Sequence, residues 1–197
     1  RGEGWRYNLD ALLSFKPPSN GEVICCWFDN RGVGASSHPD HKADYSTGIM
    51  AKDALGLMDY LGWEKAHMFG HSMGGMIACK VASMAPDRVL SLALISVTGG
   101  RWQALKSIIR KLPGHIKHGA VTAKTAEAKA RLTLYAHFSR MWLKENTENT
   151  QRRKEQLIEE YMADQAKDDY STGRGTEGQL RAVWGHRVSN VDIAKIR

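Results

Sequence analysis

The most informative part of this sequence is Gly-His-Ser-Met-Gly-Gly at residues 70–75. It follows a short apolar segment at residues 66–69 and precedes a helix-like run at residues 76–84, so we expect a strand, a sharp turn and a helix. A G-x-S-x-G sequence in that context is typical of a nucleophile elbow. Gly70 and Gly74 are predicted to give the turn its room, because a glycine has no side chain.

Such an elbow places a serine hydroxyl at the amino end of a helix. Ser72 is therefore the candidate nucleophile, and the backbone amide of Met73 is the candidate donor to an oxyanion formed on an attacked carbonyl. His71 and Gly75 are assigned to the elbow as structural residues. The same stretch also fits a glycine-rich turn that binds nothing, so the hypothesis of catalysis needs support from elsewhere in the chain.

A second motif, Asp-Asn-Arg-Gly-Val-Gly-Ala-Ser-Ser at residues 29–37, follows an apolar run at residues 23–28. Its glycines and its Asp-Asn pair predict a compact turn leaving a strand. We expect Asp29 and Arg31 to brace this turn through an ion pair and backbone hydrogen bonds, and Gly32 to have a structural role. A direct catalytic role for the two charged residues is the alternative.

The first hundred residues alternate between apolar runs and helical patterns. We predict three fully buried strands and two helices, which favour a parallel sheet with right-handed crossovers. On these elements, Asp53 and His67 are interpreted as structural polar residues. The strands are expected at residues 23–28, 66–69 and 90–96, and the helices at residues 49–61 and 76–84.

After residue 100 the chain shows amphipathic helices and no convincing strand. Three apolar stripes, within residues 102–112, 134–142 and 157–162, are typical of packing faces rather than of a cofactor site. Residues 169–178 are predicted to form a loop, and residues 179–186 a last short helical segment.

Composition narrows the classes of partner. The 197 residues carry a net charge of +7, and residues 101–197 hold 19 basic and 11 acidic side chains. Because bases and acids are interleaved and aromatic residues are not placed among them, we predict a solvated helical surface and no nucleic-acid partner. No apolar run reaches the roughly 18 residues of a membrane span, and we expect a cytoplasmic protein, with an organelle left open.

The three cysteines are Cys25, Cys26 and Cys79. They are interpreted as small buried hydrophobic residues of a protein in a reducing compartment. The sequence has no Cys-x-x-Cys pair and no histidine-rich ligand spacing, so no metal site is predicted.

Taken together, the motifs at residues 29–37 and 70–75, followed by Pro-Asp-Arg-Val at residues 86–89, resemble the α/β-hydrolase superfamily. The chain is most similar to plant and bacterial serine hydrolases of the esterase, lipase and aminoacrylate-hydrolase type. The resemblance implies a partial core at residues 1–100, an inserted helical cap, or lid, at residues 101–190, and the start of a return to the core at residues 191–197.

The family resemblance also implies a mechanism. A serine, a histidine and an acid act together on an acyl group, with no cofactor and with a small-molecule or lipid-like acyl substrate. Ser72 matches the nucleophile and Met73 matches one oxyanion donor. A serine at this position argues against the epoxide hydrolase and haloalkane dehalogenase branches, whose nucleophile is a carboxylate. A ligand receptor of the same fold and a non-catalytic truncated product are the alternatives.

Several parts of the family pattern have no match in the sequence. The triad acid, the triad histidine and the loop that gives the second oxyanion amide are not found, and four histidines in the expected cap match no triad position. The strand that separates residues 23–28 from residues 66–69 in the family is also missing, which would leave buried backbone groups unpaired. We therefore expect a fragment of a longer product that is inactive or poorly folded alone. The four histidines are His115, His118, His137 and His186.

Overall fold

The computed structural model describes residues 5–14, 23–100, 125–139, 141–142, 150–166 and 173–196. Two strands and several helices are defined within these ranges, and none of these helices is long and apolar enough to cross a membrane. The strands are β1 (Ala66–His71) and β2 (Val89–Ile95). The helices are α1 (Arg6–Ser14), α2 (Thr47–Tyr60), α3 (Met73–Met84), α4 (Ala126–His137), α5 (Thr150–Ala166), α6 (Gly173–Gly185) and α7 (Asn190–Lys195).

Strands β1 and β2 form a parallel pair connected through α3. Their register runs from Ala66 opposite Val89 to His71 opposite Ile95. A parallel pair needs a crossover connection, which α3 provides between the two strands. The predicted α/β class with a parallel sheet is confirmed. Helix α3 begins three residues earlier than predicted, directly after Ser72.

The strand expected at residues 23–28 is not formed as a hydrogen-bonded strand. The sheet of the described residues contains β1 and β2 alone, so no described strand lies beside this segment to pair with it. The prediction of full burial is also wrong for the two strands that form. Phe69 is 57% exposed and Leu90 is 56% exposed, because described helices do not cover every part of these strands.

The core of this part of the chain lies where α2 and α3 pack together. Ser46 is the N-cap of helix α2. Its hydroxyl accepts a hydrogen bond from the Ile49 amide and so satisfies one free donor of the first turn. Burial of apolar side chains between these elements is the main stabilising contribution. The buried cluster comprises Tyr45, Met50, Ala51, Ala54, Ile77, Val81 and Ala182.

The cysteines do not share one environment. Cys79 on α3 is buried, and burial raises the pKa of its thiol. Cys25 is half-buried and Cys26 is exposed, which corrects the prediction that all three are buried. The reason is the same as for the missing strand, since no described strand pairs with the segment that contains Cys25 and Cys26.

The chain divides into two compact units. One comprises Arg1–Arg101 and Tyr170–Arg197, and the other comprises Trp102–Asp169. In the first unit, Gly100 forms an antiparallel bridge with Arg187, and the Val188 amide donates to the Gly99 carbonyl at 3.2 Å.

The second unit contains α4 and α5, which pack through a small apolar cluster. Ala130, Leu134 and Ile158 are buried there, with Leu157 and Tyr161 packed against them. The two later apolar stripes thus contribute to packing as predicted. Some members of the stripes are exposed, including Phe138, Met141 and Met162. The first stripe, at residues 102–112, lies outside the described residues.

The loop expected at residues 169–178 is helical from residue 173, where α6 begins. The glycines of this segment predict a loop when the sequence is considered alone, but in the fold they allow other residues to pack closely against α6. A Cβ added at Gly175 would collide with the Gly32 carbonyl, and one added at Gly178 would collide with the Tyr45 ring. Tertiary contact therefore overrides the local preference of these glycines for a turn.

Helix α7 was not predicted, although its first turn carries a recognisable signal. Ser189 accepts from the Asp192 amide at 3.1 Å, and the Asp192 carboxylate accepts from the Ser189 amide at 3.0 Å. This reciprocal pair is a capping box. Asp192 also pairs with Lys80 of α3 at 3.2 Å, which fixes α7 against the core.

His186 lies in the first unit and not in the cap to which the sequence assigned it. Its side chain is 1% exposed, and its Nδ1 lies 2.9 Å from the hydroxyl of Thr47 at the start of α2. Its Nε2 is buried without a hydrogen-bond partner among the described residues. Burial, with a smaller contribution from Lys80, lowers the pKa of His186 from 6.5 to about 4.

We expect the stability of the protein to fall on acidification between pH 6.5 and about 4 because of His186. In that window the unfolded chain binds a proton on this imidazole and the folded chain does not, so the loss reaches at most about 3 kcal/mol. Urea denaturation at several pH values measures this. His186→Gln should flatten the pH dependence of stability. If the stability of His186→Gln changed with pH as steeply as that of the wild type, the effect could not be assigned to His186.

Candidate active site

Ser72 lies at the junction of β1 and α3 in a strained conformation. Its φ is 52° and its ψ is −119°, a region that residues with a side chain rarely adopt. Its amide donates a hydrogen bond of 2.9 Å to the carbonyl of Ile95 at the end of β2. The side chain is exposed. The elbow predicted from the sequence therefore presents the serine to solvent at the carboxyl edge of the sheet.

The elbow depends on close approach of two glycines. A Cβ added at Gly70 would lie 2.5 Å from Gly75 Cα and 2.6 Å from the Gly74 carbonyl oxygen. A Cβ added at Gly75 would collide with a methyl group of Val97. A Cβ at Gly74 would meet nothing within 4 Å. The room expected at Gly70 and Gly74 is therefore required at Gly70 and Gly75.

The amino end of α3 supplies the electrostatic part of the site. Met73 is the first residue of the helix, where backbone amides have no partner within the helix and carry partial positive charge. The Ser72 side chain makes no capping hydrogen bond to α3. The Ser72 hydroxyl and the Met73 amide are thus adjacent and both uncommitted, an arrangement that suits attack on a carbonyl and stabilisation of the resulting oxyanion.

No histidine partner for the Ser72 hydroxyl is found within the described ranges. The hydrogen-bonded histidines there contact other groups: His38 the Gly34 carbonyl, His67 the Ser91 hydroxyl, and His186 the Thr47 hydroxyl. His71 is exposed beside Ser72. Of the four histidines expected in the cap, His115 and His118 lie outside the described residues.

An ion pair between Arg31 and Asp53 braces the second motif, although Asp53 was not identified from the sequence as the partner of Arg31. Arg31 Nε and Nη2 donate to the two carboxylate oxygens of Asp53 on α2, each at 2.6 Å, and Nη1 donates to the Asp44 carbonyl at 3.0 Å. The hydrogen bond to Asp53 raises the pKa of Arg31. Asp53 is thus the structural polar residue that its position on the helix indicated.

Asp29 braces the same turn through its own backbone and side chain. Its carbonyl accepts from the Ser36 hydroxyl at 2.6 Å, and its carboxylate accepts from the Ala35 amide at 3.4 Å. Gly32 has a φ of 78°, and a Cβ there would lie 2.6 Å from the Tyr45 ring. These contacts support the structural interpretation of Asp29 and Gly32.

Helix α6 packs against this braced turn. Gln179 Nε2 donates to the Arg31 carbonyl at 2.8 Å, and Arg181 donates to the carbonyls of Lys42 and Tyr45 at 2.6 Å and 3.0 Å. Charge and glycine content in residues 173–181 were visible in the sequence, but their partners lie about 140 positions away. No local signal could have identified these contacts.

The described residues contain no cluster of three or more histidine, cysteine, aspartate or glutamate side chains that could hold a metal ion.

We expect alanine at Gly75 or Gly70 to destabilise the protein and alanine at Gly74 not to. The added methyl group overpacks the first two positions, at about 3 kcal/mol each. At Gly74 it meets open space within a helix, where alanine is favoured over glycine by about 0.5–1 kcal/mol. Thermal denaturation of the three variants measures the difference, with Gly74→Ala as the matched control. Equal melting temperatures would show that the elbow does not need this close approach.

The chain was compared with known proteins. A family model described as the alpha/beta hydrolase fold matches residues 3–174. A fluoroacetate dehalogenase from a Burkholderia species is 44% identical over 98 residues, which are 48% of this chain and 32% of that protein. Epoxide hydrolase 4 of Homo sapiens is 35% identical over 92 residues, 47% of this chain and 24% of that protein.

The structural comparison agrees with the family model. The crystal structure of a hydrolase from Pseudomonas aeruginosa matches with a TM-score of 0.60 and 24% identity, over 94% of this chain and 60% of that one. The chain thus spans less than two thirds of the length of each of these relatives. The elbow geometry, the family model and the shared fold lead to one conclusion: the chain belongs to the α/β hydrolase fold family.

Proposed function

We propose that the intact protein is a serine hydrolase in which Ser72 attacks an ester, thioester or amide-like bond of a small or lipid-like acyl substrate. The observation that carries this proposal is the exposed hydroxyl of Ser72, held at a positive φ directly before the first amide of α3. Strain of this kind persists where the surrounding structure enforces it, and it is concentrated at functional sites.

The proposed reaction has two stages. The Ser72 oxygen forms a bond to the acyl carbon as its proton passes to a general base, and the leaving group departs with a proton. Water then attacks the acyl ester and restores the hydroxyl. The Met73 amide hydrogen-bonds the oxyanion at each stage. We propose that the general base and its orienting acid are a histidine and a carboxylate outside the described residues.

Nucleophile chemistry favours acyl substrates over halides and epoxides. A hydroxyl that attacks an alkyl carbon forms an ether, which water does not cleave, so the enzyme would remain modified. A hydroxyl that attacks an acyl carbon forms an ester, which water does cleave. The named relatives include a dehalogenase and an epoxide hydrolase, but residue 72 of this chain is a serine. Acyl transfer to water is the reaction that this residue supports.

We expect a fluorophosphonate probe to label the intact protein at Ser72. Ser72→Ala should abolish labelling and lower ester hydrolysis at least 10³-fold, because no other described group replaces the nucleophile. Ser91→Ala is the matched control, since Ser91 is an exposed serine on β2 and should label like the wild type. Peptide mapping of the labelled protein identifies the site. Equal labelling of the wild type and Ser72→Ala would refute the proposal.

We also expect Ser72→Gly to stabilise the protein while it abolishes labelling. Glycine adopts a φ of 52° without the strain that a side chain causes. Glycine also raises the conformational entropy of the unfolded chain, which opposes folding. We expect the relief of strain to exceed this entropic cost by about 1 kcal/mol. Ser72→Ala keeps a Cβ and should show no such gain. Thermal denaturation of the two variants side by side tests this, and a lower melting temperature for Ser72→Gly than for Ser72→Ala would contradict it.

A further inference from the structure

Two residues other than glycine have a positive φ in the described part of the chain, and both are serines. Ser72 has a φ of 52° and Ser96 has a φ of 54°. Ser72 lies in the G-x-S-x-G motif, whereas Ser96 lies in no recognised motif. Left-handed backbone at a residue with a side chain is uncommon, so a second instance calls for a structural or functional cause.

The two serines occupy equivalent positions on neighbouring strands. The last register pair of the sheet joins His71 to Ile95, and each serine directly follows its member of that pair. The Ser72 amide donates to the Ile95 carbonyl at 2.9 Å, so the backbones remain in contact at this level. Paired strands lie about 4.8 Å apart, which places Ser96 beside the nucleophile at the carboxyl edge where α/β folds bind ligands.

The backbone at Ser96 is fixed by its neighbours rather than by its own side chain. Ile95 before it holds the Ser72 amide, and Val97 after it packs against Gly75. The Ser96 side chain is exposed. Its hydroxyl has no hydrogen-bond partner among the described residues, so the fold makes no use of it there. Glycine would meet the backbone requirement with less strain, which leaves the hydroxyl itself as the feature to be explained.

We propose that Ser96 is a specificity-determining residue whose hydroxyl hydrogen-bonds a polar atom of the acyl group bound at Ser72. Because paired strands lie about 4.8 Å apart, we place the substrate atom that the Ser96 hydroxyl reaches one to three bonds from the acyl carbon. The substrate class is then acyl groups with an oxygen or nitrogen near the carbonyl, such as alkoxyacyl, hydroxyacyl or carbamoyl groups, in preference to plain alkanoyl groups. This inference rests on the proposed serine hydrolase function.

The expected size of the preference follows from hydrogen-bond energetics. A site that hydrogen-bonds a substrate atom discriminates against an isosteric analogue without that atom. One neutral hydrogen bond at an exposed edge changes such a ratio by about fivefold, because solvent competes for both partners. The effect is therefore a shift in substrate preference and not a loss of catalysis.

The test compares two esters of the same shape, p-nitrophenyl butyrate and p-nitrophenyl methoxyacetate, in which an oxygen replaces one methylene group. The ratio of their kcat/KM values is measured for the wild-type intact protein, Ser96→Ala and Ser96→Gly. Differences in the intrinsic reactivity of the esters cancel between variants. Ser91→Ala is the control for loss of an exposed hydroxyl on the same strand. Fluorophosphonate labelling of Ser72 is followed in every variant.

We expect both Ser96 variants to lower the methoxyacetate-to-butyrate ratio about fivefold, with labelling of Ser72 retained and the ratio of Ser91→Ala unchanged. Ser96→Gly keeps the backbone accessible, so it carries the test if Ser96→Ala does not fold. A wild-type ratio in Ser96→Gly would overturn the inference and leave the proposed function intact, since the position would then serve the backbone alone. Failure of Ser72 to label in the wild type would instead refute the proposed function and this inference with it.

Discussion

The close approach of the backbone at Gly70 to the backbone at Gly75 is the constraint on which the rest of the site depends. Because neither residue has a side chain, α3 can start directly at the end of β1, with Ser72 alone between them. A turn this short forces Ser72 to a positive φ and points a reactive group outward at the edge of the sheet. The exposure of the hydroxyl and its closeness to the Met73 amide both follow from that geometry.

The same use of glycine positions the second motif. The Tyr45 ring lies against Gly32 in the turn after residues 23–28 and against Gly178 of α6, and Gly175 approaches the Gly32 carbonyl. Residues far apart in the sequence are thereby held in one arrangement, to which Arg31 and Asp53 add a bidentate ion pair. Apolar and charged contacts contribute differently to this arrangement. The Tyr45 ring fills the space beside the glycines, and the Arg31 guanidinium orients the turn through directional hydrogen bonds.

The sequence was sufficient for the parts of the molecule that rest on local pattern. The elbow and the α2 and α3 helices follow from spacing and glycine placement within about thirty residues, whereas the partner of Arg31 does not. It failed where distant contacts decide the outcome. Gly175 and Gly178 indicated a loop but pack inside a helix, His186 is buried against Thr47 of a helix 139 positions away, and residues 23–28 are apolar without a described strand to pair with. No sequence pattern identified Ser96, because the sequence alone does not show a backbone dihedral angle.

Strain at two neighbouring serines bears on why the edge of the sheet is built as it is. Each positive φ costs stability that glycine would recover, and Gly32 and Gly62 show that glycine occupies other positions of positive φ in the described residues. Keeping a hydroxyl at both positions therefore opposes folding and needs another cause. The buried core between α2 and α3 offsets the cost. Both serines directly follow the last register pair of the sheet, at its carboxyl edge. This arrangement supports the proposal that the edge of the sheet binds a ligand.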